Sequence, residues 1–410
     1  MSTSSFNPEN AILAYLQTLA ETKKGLPHGI PVCVFASHTI TDTASLLRLA
    51  AEIGPFIGVL QIQANIIDDW SNHTIEQLIY LAKRYGFLLW EGSRFLNASV
   101  NFMSRADAGW ETQKFLADTV RRQYTNGPIK SATWSNLTTS WAPGVRLDQQ
   151  AEDVMIPTLR KAGREAVANT IKTIQTEISV EGNEYFPDVN EIVESPSGTT
   201  DGWQEFSPTG LGVSMRKKST ISVTETVTPE PNVQPEDGVP PPPLLARGIT
   251  LCLPSATDAA FRPEYRQSSV AAACAHQDFV VGFATSEPFF VNFRGNDIFE
   301  IAFLDGNGEE NEEMDRAQLL NSPTIHSRHS LVLFSLVPPS LAVGFEIDPI
   351  LGVDSDSESD QPYSARLLNY IVGQAVKRRE ANRKENDVSH LKKEQAPGPN
   401  IVQIPVIVMQ

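Results

Sequence analysis

Apolar residues fall into short unbroken runs, and between the runs they return every three or four positions. This is the pattern of strands buried on both faces, separated by amphipathic helices. The runs at 30–35, 56–63 and 87–90 read as the first three strands, with helices over 8–24 (Ile12, Leu13, Leu16, Leu19) and 42–52 around the first of them. The helix before the third strand is predicted by a capping box at Thr74–Gln77, an apolar face of Ile75, Leu78, Ile79 and Ala82, and Gly86 as its stop. A helix over 111–124, short strands at 129–134 and 136–138, and a long helical stretch over 147–179 broken near Pro157 follow. Strands are predicted again at 249–253, 279–284, 299–304 and 330–336, with helices at 267–275 and 364–384. The stretch 401–409 is apolar enough for a strand, but its pattern gives it no place. About eight buried strands with helices between them predict a (β/α)8 barrel.

Composition divides the chain further. Residues 180–243 are rich in proline, serine, glycine and acids, and are expected to be a disordered insertion. The domain reading is therefore 1–179 as the first part of the barrel, 180–243 as the insertion, 244–385 as the second part, and 386–410 as a tail. A formal net charge of −16 argues against nucleic acid and an anionic membrane surface as partners. Cys33, Cys252 and Cys274 lack metal-site spacing and predict free thiols in a reducing compartment. With no leader pattern in 1–10 and no apolar run of membrane-spanning length, the protein is expected in the cytoplasm.

Chemistry is expected where strands leave the core. The third strand ends in Glu91, Gly92, Ser93, Arg94, Phe95, Leu96 and Asn97, a polar turn at the position where parallel α/β folds bind ligands. His38, His276, His326 and His329 show no metal-binding spacing, and Gly306-Asn307-Gly308 lacks the lysine of a phosphate loop, so no metal or cofactor is expected.

These residues resemble a family. The stretches 60–70 and 87–95 are similar to eukaryotic-type orotidine 5′-phosphate decarboxylase, as are 120–124 with Trp134, and 246–248 through Glu264-Tyr265 to 278–283. The resemblance covers 8–174 and 244–287, and it implies the same barrel, a homodimer, and a nucleotide or other small anionic ligand. It also implies catalytic positions. The family carries Asp-x-Lys-x-x-Asp after the third strand and a lysine on the second. Here those positions hold Gly92, Arg94, Asn97 and Gln61. Gln63 and Asn65 stand for the family's His and Asp, Thr39 (or His38) for its first-strand Asp, and Ser255 for a base-contacting serine. An arginine in place of the proton-donating lysine raises the cost of donation by about 3–5 kcal/mol. Losing preorganised charge costs about 10²–10³ in rate per group. A competing placement, Lys114 to Val120, spaces Lys114 and Asp118 by four and reads as a surface (i, i+4) ion pair on a helix. The phosphate site implied by the family falls on 305–308 and on Val337-Pro338-Pro339, where an acid and prolines replace donors.

The expectation is thus a decarboxylase-like protein without the decarboxylase reaction, acting as a binding or scaffold homologue. The alternatives are an orotidine 5′-monophosphate decarboxylase forming UMP, and a different small-molecule reaction in the same mouth with Arg94 gripping an anion.

Overall fold

The computed structural model describes residues 10–92, 110–142, 153–174, 238–254, 263–290, 330–342, 345, 362–389 and 400–410. The chain divides into one unit of Met1–Thr170 with Pro231–Gln410, and a second of Ile171–Glu230, of which only the end of a helix is described.

The first unit is a closed barrel of eight parallel strands in sequence order. They are β1 (Cys33–Ala36), β2 (Val59–Ile62), β3 (Leu88–Glu91), β4 (Leu137–Ser140), β5 (Gly248–Leu253), β6 (Val280–Pro288), β7 (Ser330–Leu336) and β8 (Asn400–Met409). The unplaced C-terminal stretch is therefore the strand that closes the barrel, paired with β7 on one side and β1 on the other. The expected strand at 299–304 lies outside the described residues, as does 180–237 of the expected disordered insertion.

Helices α1 (Ala11–Thr22), α2 (Thr43–Ile53), α3 (Asn72–Tyr85), α4 (Trp110–Asn126), α5 (Ser131–Trp134), α6 (Met155–Ile174), α7 (Pro263–Ala275) and α8 (Tyr363–Ser389) accompany the strands. The predicted strand at 129–134 is instead a bend, with Lys130 at a positive φ of 48°, followed by the single turn α5. Near Pro157, where a break is expected, α6 begins: Asp153 and Val154 are not helical, 147–152 lie outside the described residues, and the proline sits in the first turn, where backbone N–H groups have no helical partner to lose. The box that starts α3 lies three residues earlier than predicted, with Ser71 as cap and Thr74 as its reciprocal partner. Gly86 ends that helix as expected, at φ 66°.

Each strand is apolar on both faces because both faces are covered. Outward residues Val34, Leu60, Ile62, Leu89 and Ile407 pack with α2, α3 and α8. Those of β5 to β7, including Ile249, Leu251, Phe283 and Leu333, pack with α4, α6 and α7. The inward set, Cys33, Val59, Leu88, Trp90, Leu137, Val332, Phe334, Ile404 and Val406, forms one cluster with Ile12, Leu16 and Leu19 of α1. Helix α1 thus stoppers the end of the barrel where the strands begin.

Two polar devices hold this arrangement. The β3–β4 pairing is short, and Asn136 extends it by accepting from the Leu89 N–H at 3.1 Å and donating to the Pro243 carbonyl at 3.0 Å. Beneath the barrel, Lys23 is buried, and its Nζ donates to the carbonyls of Gly54 (2.8 Å), Ile57 (2.6 Å) and Gly86 (3.0 Å). One amine thereby fastens α1 to the ends of α2 and α3 and to the approach to β2.

Burial pulls the Lys23 pKa down to about 7. The unfolded chain holds this proton to about pH 10.4. Between the two values unfolding takes up a proton, so this group makes stability rise with pH. Urea midpoints measured through that window should climb more steeply in the natural chain than in Lys23→Met. The substitution itself should cost about 3 kcal/mol by orphaning carbonyls.

Candidate active site

The mouth of the barrel is where the strands end, and pairing register fixes what stands there. Val408 is level with Phe35, Phe35 with Gln61, and Gln61 with Trp90, so one row crosses β8, β1, β2 and β3. By the alternation of each strand these four face inward, on the side of Cys33, Val59, Leu88 and Val406. Trp90 closes the floor: its indole N–H donates to Thr139 Oγ1 at 2.9 Å, and its ring lies 4.6 Å from that of Phe334.

Above Trp90 on the same face is Gly92, whose N–H donates to the Ile62 carbonyl at 2.8 Å. A side chain here would not find empty space. A Cβ on Gly92 would lie 2.5 Å from Gln61 Nε2, 2.8 Å from its Cγ and 3.0 Å from its Cδ. Gln61 has leaned into the volume that a residue at 92 would use. The positions on β2 and β3 where the resemblance implies a lysine and an aspartate are therefore a neutral pair packed against each other. Of the described inward residues at these strand ends, Phe35, Gln61, Gly92, Leu336 and Val408, none is ionisable.

The other sequence-predicted residues are placed as follows. Thr39 is exposed just past β1 and donates through its hydroxyl to Ser37 Oγ at 3.0 Å, which makes it part of a turn. His38 is exposed beside it. Gln63 is half-buried at the end of β2, and its carbonyl accepts from Ile66 in the turn that carries exposed Asn65. Arg94, Asn97, Ser255 and 305–308 lie outside the described residues. At the end of β7 the Val337 N–H is spent on the Val406 carbonyl at 2.8 Å, and Pro338 and Pro339 have none to give.

Lys114 and Asp118 are on α4. The expected pair between them is replaced by bonds from Arg121 Nη2 (2.6 Å) and Arg122 Nε (3.0 Å) to the Asp118 carboxylate. The Arg121 hydrogen bond comes first among the causes that hold this carboxyl below its usual pKa. Among the described residues no group of three or more His, Cys, Asp or Glu side chains is arranged to hold a metal ion. No described helix is long and apolar enough to cross a membrane.

Sequence reasoning missed the floor made by Trp90, Thr139 and Phe334, and it missed the contact between Gln61 and Gly92. The available signal was a glycine where the resemblance implies a longer side chain, beside a neighbouring strand residue long enough to reach it.

The contact predicts coupling. Gly92→Ala should destabilise the chain by about 1–2 kcal/mol, because Gln61 must move. In a Gln61→Ala background the same change should be neutral or stabilising. Denaturant unfolding of the four chains closes the cycle, and additivity within about 0.3 kcal/mol would rule the contact out.

No family model matches the chain. Among curated proteins it is similar to the orotidine 5′-phosphate decarboxylase of Aspergillus awamori, 30% identical over 128 residues that make up 31% of this chain and 37% of the relative. The orotidine 5′-phosphate decarboxylase of Mucor circinelloides f. lusitanicus is 32% identical over 119 residues, 29% of this chain and 38% of the relative. The chain thus spans less than two-fifths of the length of these relatives. A weaker likeness runs further: the orotidine 5′-phosphate decarboxylase of Hypocrea jecorina is 26% identical over 310 residues, covering 67% of this chain and 71% of the relative. Over these shared stretches the chain is similar to orotidine 5′-phosphate decarboxylases, and its described strands form a closed parallel barrel.

Proposed function

We propose that this protein is a decarboxylase homologue that has lost the family's reaction and acts as a binding or scaffold protein. The observation that carries the reading is the Gln61 carboxamide lying on Gly92. In the resembled family, a lysine and an aspartate at these positions would supply charge at the reacting carbon. A carboxamide brings no positive charge to the site, and a glycine cannot crowd a substrate carboxylate. Preorganised charge is the largest single source of such catalysis. With Arg94 and Asn97 at the remaining positions, no member of the family's charged set is retained in kind. Arginine gives up a proton only at a pKa of about 12.5 or higher.

The homodimer implied by the resemblance belongs to the same reading. It is checked by sedimentation of the purified chain.

Decarboxylation is measured by following the absorbance of orotidine 5′-monophosphate with purified protein, and by complementation of a pyrimidine-requiring strain. The expected result is no turnover above background and no rescue. Rescue, or turnover abolished by Arg94→Ala, would overturn the reading and make the chain an active decarboxylase.

A further inference from the structure

A run of prolines, Pro240 to Pro243, leads into β5, and the barrel itself does not call for it. Proline fixes φ at about −65° and keeps the residue before it extended. Val239 to Pro243 is therefore a polyproline helix, whose period of about three residues puts 239 with 242, 240 with 243, and 241 with 244 on separate faces. Burial follows that period. Val239 and Pro242 are buried, Pro240, Pro243 and Leu244 are half-buried, and Pro241 is exposed.

The buried face is pinned to the closed end of the barrel. Val239 packs with α1 and lies over Gly86, where an added Cβ would come within 2.5 Å of Val239 Cγ1. The Pro240 carbonyl accepts from the Tyr15 hydroxyl at 2.9 Å, and the Pro243 carbonyl from Asn136 Nδ2 at 3.0 Å and the Ala246 N–H at 2.9 Å. That last bond closes a turn which leaves Leu245 57% exposed. Arg247 is the only cation in 238–247, and its guanidinium is spent on the carbonyls of Ala132, Thr133, Leu244 and Ala246. The strap thus presents proline rings and a leucine with no free charge beside them. Aromatic-lined grooves recognise a polyproline helix, and a helix already held in shape spares the ordering cost of docking.

We propose that the seated strap, through Pro241 and the turn carrying Leu245, is a docking surface for an aromatic-lined groove on another protein, one that reads proline and leucine without a flanking cation. This goes beyond the reading of the mouth and does not depend on it, since the strap lies at the end of the barrel where the strands begin.

The full chain is titrated calorimetrically with two probes: a WW domain that reads leucine-containing proline runs, and an SH3 domain that requires an arginine beside its prolines. The WW domain should bind the full chain at least as tightly as it binds the free peptide 238–247, and the SH3 domain should bind the chain more weakly than the WW domain does. Pro241→Ala and Leu245→Ser, both at exposed positions, should each weaken WW binding by about tenfold, as the loss of a central contact does, and leave the melting temperature unchanged. Silence of the WW domain, binding to the peptide but not to the chain, tighter binding of the SH3 domain, or unchanged affinity in both variants would each overturn the proposal. Turnover of orotidine 5′-monophosphate defeats only the earlier reading, and silence of the WW domain defeats only this one.

Discussion

The structure depends on the pairing of its first strand with its last. Cys33 to Ala36 lie in register with Val406 to Met409, and the Ser37 N–H reaches the Met409 carbonyl at 2.7 Å. An open parallel sheet would leave two rows of backbone donors and acceptors exposed, and closure removes both. The same pairing sets Val408 beside Phe35, and Phe35 beside Gln61, so the floor of the mouth is a direct product of ring closure. A shift of one residue along β8 would exchange Val408 for Ile407 or Met409 and turn the inward face outward.

At the other end of the barrel the constraint is dehydration. Helix α1 covers the interior, and in doing so it buries carbonyls at the ends of α2 and α3 that water would otherwise satisfy. Lys23 answers all three of its acceptors from a single side chain. The cost of desolvating the ammonium shows in its lowered pKa, and it is opposed by hydrogen bonds to buried carbonyls that no apolar residue could supply.

Much of this was legible in the residues. Unbroken apolar runs located β1 to β3 and β5 to β7, since a strand covered on both faces has no polar alternation to obscure it. The stretch that became β8 resisted placement for a physical reason. Pro405 sits in its middle, opposite Ser335, and proline argues against a central strand. Which distant strands meet is a property of closure and leaves no periodicity to read. The run 129–134 misled because Ile129 and Trp134 are buried without being extended, and Lys130 turns the chain between them. At the site, the resemblance named positions 61 and 92, but contacts between side chains on neighbouring strands have no local sequence signature. Asp118 shows the same limit from the other side: spacing suggested Lys114, while the arginines one turn further along α4 took the carboxylate.

The glutamine that leans over Gly92 also bears on how such a protein can change with time. An aspartate introduced at 92 would meet Gln61 before it could meet anything else in the mouth. A longer residue at 92 therefore needs position 61 to change first or together with it. The packing ties the two positions together, so the room available to one is set by the residue at the other.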